Sequence, residues 1–354
     1  MSRCRRPMTA AAVAMRETAD LIKKKWFSSG GASAVCMNKA DVIQYEAMKR
    51  LSGLIPPMVT PLDERRRLDR KGVRKMVEHL LAGGVDGIFL LGTTGEGPHL
   101  GYATRRELVK ETCRLVKGRV PVLVGITETD IEDALAFAGE CKKFGADGAV
   151  AAPPYYFKLT QAECVAWYTD LADKLPMPLV IYDMPAHTDT TLDPDTVAKL
   201  AAHPDIVAMK DSSSVIALFN KYRIALEPFA GRFSLFMGPD EAMGEAVLLG
   251  ADGGVCTGAN LWPAQFKKML LAARAGDVGK VRELQKFTTT SSYLLYGIGQ
   301  GQAGFLKGVK AALSEMGLIK NVLAAPFEPF SGRELAKVRA AMRKLRCAAS
   351  KLDA

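Results

Sequence analysis

The chain has 354 residues, 48% of them hydrophobic, which is enough for one large core and argues against a mostly disordered protein. Its net charge of +10 is carried by the ends, with +6 in residues 1–50, +5 in residues 331–354 and −1 between them, so the body lacks the basic footprint of a nucleic-acid binder. Seven scattered cysteines without a C-x-x-C pair, four dispersed histidines and no apolar run of spanning length argue against a disulfide framework, a metal site and a membrane span.

Residues 1–50 read as an N-terminal extension, either disordered or a non-native start ahead of Met37 or Met48. They contain basic and small residues but no apolar core with a cleavage site, which argues against secretion. Glu17, Asp20 and the cluster Lys23, Lys24 and Lys25 weaken an organelle presequence, so a cytoplasmic protein is expected.

From residue 54, short apolar runs alternate with amphipathic stretches. The runs are Leu54–Val59, Gly87–Leu91, Pro121–Gly125, Gly148–Ala152, Leu179–Tyr182, Ile206–Lys210, Phe233–Met237 and Gly253–Cys256. None alternates polar with apolar residues, as expected of parallel strands covered on both faces. Between them, Val73, Met76, Val77, Leu80 and Leu81 form a helical stripe ending in Gly-Gly. Thr160 stands three residues before Glu163 in capping-box spacing, and Asp193 reads as a cap ahead of Pro194. The rhythm predicts a (β/α)8 barrel over 51–275, followed by a helical region over 276–354. A doubly wound open sheet is the competitor, disfavoured because no G-x-G-x-x-G follows the first strand.

In such a barrel, chemistry gathers at the C-terminal ends of the strands. Those ends carry GTTGEG at 92–97, PPYYF at 153–157, YDMPAHT at 182–188, Lys210 and GVCTGAN at 254–260. Lys210 ends a buried run, and burial favours the neutral amine, a nucleophile able to form an imine with a ketone or aldehyde. It also reads as a snorkelling lysine or a partner for Asp211. Tyr182 ends the neighbouring strand, placed either to shuttle protons or simply to pack. Thr93 and Thr94 offer hydroxyls and clustered N–H groups to a small carboxylate, or merely a tight turn. Together the three features suggest a site for a 2-oxo acid.

GTTGE at 92–96, PPYY at 153–156, Y-D-M-P at 182–185, IVAMKDSS around Lys210 and GADGGVCTGAN at 250–260 resemble, in order, the dihydrodipicolinate synthase/N-acetylneuraminate lyase family of class I pyruvate-dependent aldolases. The resemblance spans roughly residues 51–345. It implies a barrel with a C-terminal helical cap, a homotetramer built as a dimer of dimers, and no metal or organic cofactor. Lys210 would form the Schiff base with pyruvate, with Tyr182 as its acid/base. Thr93 and Thr94 would bind the pyruvate carboxylate, Thr93 also relaying protons. Tyr156 would complete that relay across the dimer interface, and the Val255 carbonyl would lie near the imine.

Two positions depart from the synthases, which usually carry Asn after the strand-5 tyrosine and Arg five residues beyond it. Here they are Asp183 and His187. A shorter, partly charged His cannot grip a carboxylate as Arg does, and with Asp189 nearby the loop points to a hydroxylated, sugar-like partner. The pattern around His99 and Asp133 does not match lysine-sensitive members, so no feedback inhibition by lysine is expected. The function expected is condensation of pyruvate with an aldehyde, or cleavage of a 2-oxo acid to pyruvate and an aldehyde. The specific alternatives are an authentic 4-hydroxy-tetrahydrodipicolinate synthase, a 2-keto-3-deoxy sugar acid aldolase or N-acetylneuraminate lyase-like enzyme, and a dehydratase using the same imine. A catalytically silent binding homologue is the alternative of another class.

Overall fold

The short runs of Val, Ile, Leu and Ala become strands because each is buried on both faces, where β-branched and small residues pack densely. The structure, a computed structural model, describes residues 51–353. The expectations for residues 1–50 lie outside the described residues. The strands are β1 (Gly53–Leu54), β2 (Ile88–Leu90), β3 (Val122–Gly125), β4 (Gly148–Ala151), β5 (Leu179–Asp183), β6 (Ile206–Asp211), β7 (Ser234–Met237) and β8 (Gly253–Gly254). They form one parallel sheet in the order β1-β8-β7-β6-β5-β4-β3-β2. Its two ends meet through a parallel bridge between Pro57 and Phe89, where Met58 N donates to Phe89 O at 2.8 Å and Phe89 N to Pro56 O at 3.0 Å. The sheet is thereby a closed (β/α)8 barrel, as the rhythm predicts. β1 and β8 approach so closely that a Cβ at Gly253 would collide with Gly53 O, which accounts for a glycine there.

The helices are α1 (Arg70–Ala82), α2 (Tyr102–Val116), α3 (Ile131–Phe144), α4 (Gln161–Lys174), α5 (Pro185–Thr188), α6 (Pro194–Ala201), α7 (Ile216–Leu226), α8 (Met243–Leu248), α9 (Pro263–Arg274), α10 (Val278–Tyr296), α11 (Gly304–Glu315) and α12 (Gly332–Asp353). In α1 the expected stripe is buried at Val73, Met76, Val77 and Leu80, and the Asp69 carboxylate accepts from Lys71 N and Gly72 N. The Thr160–Glu163 capping box at the start of α4 is present. At α6 the expectation needs correction. Asp193 stands at the N-cap and Pro194 opens the helix, but the Asp193 carboxylate makes no capping bond; the backbone N–H of Asp193 donates to Gln161 Oε1 at 2.9 Å. After β8 the described chain is helical, with α9 as the barrel's last helix and α10 to α12 following it.

Two apolar layers result. The larger lies between strands and helices, and the smaller fills the barrel interior with Ile55, Phe89, Leu123, Val150, Val180 and Phe236. The β5–β6 register decides which layer receives the ends of these strands. It starts at Leu179↔Ile206, then slips by one to Val180↔Ala208 and runs on to Tyr182↔Lys210 and Asp183↔Asp211. The extra residue, Val207, is a β-bulge. Val207 and Ala208 both join the interior cluster. Without the slip, Lys210 would share the face of Ile206 and point to the helices; with it, Lys210 points inward beside Tyr182.

Candidate active site

Lys210 and Tyr182 are directly paired residues at the ends of β6 and β5. Both are buried, Lys210 at 6% exposure and Tyr182 at 5%. Lys210 Nζ lies 4.2 Å from the centre of the Tyr182 ring and 5.5 Å from that of Phe89. No carboxylate pairs with it among the described residues. Asp211, the partner considered from sequence, faces the other side of the sheet and accepts from Ser213 N at 2.8 Å. The ion-pair reading of Lys210 therefore fails, and an amine against two ring faces takes its place.

The Tyr182 hydroxyl lies 3.4 Å from Thr93 Oγ1, a long contact. Thr94 Oγ1 is 2.8 Å from Thr257 Oγ1, in the turn after β8. The loop holding these threonines is strained and tightly fixed. Leu91 and Glu96 have left-handed φ of 60° and 56°, and a Cβ at Gly97 would collide with Leu91 O. Thr60 Oγ1 donates to Gly95 O at 2.6 Å. The Glu96 carboxylate is wholly buried, ion-paired with Lys310 of α11, and accepts from Ala324 N at 2.7 Å. Lys310 Nζ also donates to Val322 O at 2.8 Å, while burial pushes its pKa down. Asn260 ties the turn after β8 to the end of β1, accepting from Val59 N at 3.1 Å and donating to Pro57 O at 2.9 Å.

Sequence reasoning quoted Glu96 and Asn260 within motifs but gave them no role, and it passed over Lys310. The signal was a charged residue inside a Gly-Thr loop, answered by a lysine on an apolar helix face.

A cavity of about 750 Å³ opens above this pair, between the strand ends and α11. Thr93, Tyr182 and His187 line it, with Phe89 and Tyr155. Lys210 does not; it lies deeper, beside a void of about 10 Å³ shared with Val255 and Phe236. Phe89 borders both spaces, so the path from cavity to amine runs past Phe89 and Tyr182.

His187 is water-accessible yet sits in a concave wall, and desolvation, aided by His99, pushes its pKa down. Asp183 is not in the cavity. It turns outward from β5 and accepts from Leu192 N at 3.1 Å, with the Tyr222 hydroxyl at 3.2 Å from its other oxygen. Burial pushes its pKa up to about 7, with Asp211 adding to the rise. Asp189 does not line the cavity either, so the acidic loop inferred from sequence does not reach it. Tyr156 is 80% exposed, edge-on to Phe157, and takes no part in the cavity of its own chain. The geometry thus sets Tyr182, Thr93 and His187 in the cavity, Lys210 and Val255 deeper in the barrel beneath it and Thr94 behind the loop, and leaves Asp183 and Tyr156 outside.

An amine and a phenol beneath a roomy cavity, with threonine hydroxyls at its edge, form a site suited to imine chemistry on a carbonyl compound. The sequence model of the Dihydrodipicolinate synthetase family matches residues 50–345, and the chain belongs to that family. It is a Schiff-base-forming carbon–carbon lyase or aldolase acting on pyruvate or another 2-oxo acid.

Among its relatives, a probable 2-dehydro-3-deoxy-D-pentonate aldolase, YjhH of Escherichia coli strain K12, is 34% identical over 240 residues, covering 68% of this chain and 80% of that protein. A 4-hydroxy-tetrahydrodipicolinate synthase of Methanoculleus marisnigri is 36% identical over 234 residues, covering 66% and 79%. The crystal structure of dihydrodipicolinate synthase from Bacteroides thetaiotaomicron superposes with a TM-score of 0.80 at 43% identity, covering 83% of this chain and 98% of that one. YagE from Escherichia coli K12, solved in complex with pyruvate, gives 0.79 at 27% identity, covering 84% and 99%. Among the described residues no helix is long and apolar enough to cross a membrane.

Proposed function

We propose that Lys210 is the imine-forming residue of a pyruvate-dependent aldolase and that Tyr182 moves its protons. The observation that carries this is the inward pairing of Tyr182 with Lys210 across β5 and β6. The amine adds to C2 of pyruvate, and loss of water gives the protonated imine. The imine withdraws electrons from C3, which loses a proton to form the enamine. In the condensing direction, C3 attacks the aldehyde carbon, the new C–C bond forms, and the aldehyde oxygen takes up a proton. Water then hydrolyses the imine and frees Lys210; cleavage is the reverse. Proton transfer by a placed acid/base such as Tyr182 supplies on the order of 10²–10⁴-fold. Thr93 and Thr94 hold the pyruvate carboxylate in this reading, and Thr93 joins the relay through its contact with Tyr182.

Tyr156 enters in the same reading as a residue supplied by a second copy, within a homotetramer arranged as a dimer of dimers. Its exposure on the loop after β4 supports this. His187 replaces the arginine usual in the synthases, which favours an aldehyde other than that of the lysine-pathway enzyme. The resemblance to a sugar acid aldolase supports the same direction.

Borohydride trapping with pyruvate, read by peptide mass spectrometry, tests the assignment. A pyruvate-derived adduct on Lys210, lost in Lys210→Ala, is expected. A folded protein that gives no adduct with pyruvate or any other 2-oxo acid would overturn it in favour of a silent homologue.

A further inference from the structure

The cavity above Lys210 is lined on one side by strand-end loops and on the other by the start of α11. Among the described residues that line it there is no aspartate and no glutamate. Two cationic side chains do line it, Arg105 and Lys307. Arg105 is already committed. Its guanidinium is ion-paired with Glu128, donates to Leu100 O at 2.7 Å, and stacks on Tyr102 at 4.9 Å. Lys307 is half-buried on the second turn of α11 and makes no ion pair or side-chain hydrogen bond with any described residue. His187 lines the cavity too, but desolvation disfavours its charged form.

Among the described residues the wall therefore holds one Lys or Arg side chain without a counter-ion, on α11 and not on the strand-end loops that carry Thr93 and Tyr182. A cation in a concave, carboxylate-free wall attracts an anion more strongly than one on a flat surface of mixed charge does. The carboxylate of a bound 2-oxo acid is accounted for at Thr93 and Thr94 in the reading above, on which this inference rests. The anion that answers Lys307 is then a second one, outside the pyruvate moiety.

We infer that Lys307 is a specificity-determining residue, and that the aldehyde partner carries an anionic group, a carboxylate or a phosphate. This revises the hydroxylated, sugar-like partner expected from the strand-5 loop by adding a charge to it. That expectation rested on His187 in place of arginine and on Asp189 beside it; Asp189 does not line the cavity, and Lys307 supplies the cation that the arginine would have.

Two matched pairs of aldehydes test the inference with pyruvate and the full-length protein. They are succinic semialdehyde against butanal, and glyceraldehyde phosphate against glyceraldehyde. In the wild type, kcat/KM is expected to be at least about tenfold higher for the charged member of one pair, and the favoured pair tells carboxylate from phosphate. The preference should shrink as salt is raised. Lys307→Gln should abolish it while leaving the rate with the neutral aldehyde and the yield of pyruvate adduct unchanged, and Lys307→Arg should retain it. Intact adduct formation shows that the variants are folded. The inference is overturned if the wild type shows no preference in either pair, or if the preference survives in Lys307→Gln. Failure of the wild type to form any adduct on Lys210 is a separate result: it removes the imine reading, and this inference with it.

Discussion

Tyr182 and Asp183 are adjacent in the chain and have opposite fates. Strand alternation sends one into the barrel and the other toward the helices. The resemblance to known lyases drew attention to Asp183 as a substrate contact, whereas the two-residue period of the strand already argued against two neighbouring inward side chains. Behind the sheet, Asp183 shares Tyr222 with Leu192 O, which lies 2.6 Å from the phenol oxygen. The phenol has one proton, and the shorter contact takes it. The Asp183 carboxylate then gains little from the phenol at 3.2 Å, and burial prevails, pushing its pKa up to about 7.

Folding therefore binds a proton that the unfolded chain, whose aspartate carboxyl titrates near its ordinary value of about 3.9, gives up. Between these two pH values stability falls as pH rises, and below the lower one the penalty vanishes. Asp183→Asn keeps the acceptor for Leu192 N and offers an N–H to the phenol. It should stabilise the protein by up to about 4 kcal/mol above pH 7 and by little near pH 4, at roughly 1.4 kcal/mol per pH unit of displacement. Denaturant melts at several pH values would show this, and an equal effect across the range would mean that the folded carboxyl titrates normally.

At the scale of elements, the strands were legible because a doubly covered parallel strand leaves an unbroken apolar run. The bulge at Val207 was not. Nothing in IVAMK marks an extra residue, yet the slip turns Lys210 inward. The asparagine and ion-pair ties were equally hidden, because they join residues far apart in sequence. Glu96 follows β2, and Lys310 lies 214 residues later on α11. Their buried pair couples the threonine loop to the helices after the barrel.

Removing one partner strands a charge in the interior, which costs about 3–5 kcal/mol, whereas removing both is far milder. Lys310→Met should therefore lower the melting temperature sharply, and Lys310→Met combined with Glu96→Gln should recover much of the loss. If the pair also positions the loop, the double variant will trap pyruvate with a raised KM and little change in kcat. Unchanged kinetics in a stable double variant would reduce the pair to a fastening.

At the scale of the whole molecule, one residue proposed for the site, Tyr156, lies outside the cavity of its own chain. Tyr156 and Phe157 stand 80% and 76% exposed on the loop after β4, an unusual posture for two aromatic side chains on the same loop. A twofold-symmetric dimer would carry each Tyr156 to the other copy's site and bury the pair at once, because a self-complementary interface uses the same patch twice. This geometry can be tested by complementation. Lys210→Ala and Tyr156→Phe should each be inactive or nearly so, the second by on the order of 10²–10⁴-fold. In a mixed dimer, one site combines an intact Lys210 with an intact Tyr156 from the other chain, and the second site carries both lesions. Co-expression of the two variants in equal amounts should then restore about one site in four, since half of randomly paired dimers are mixed and each has one sound site. A Tyr156 acting within its own chain predicts no recovery at all, because every site in the mixture would still carry one lesion.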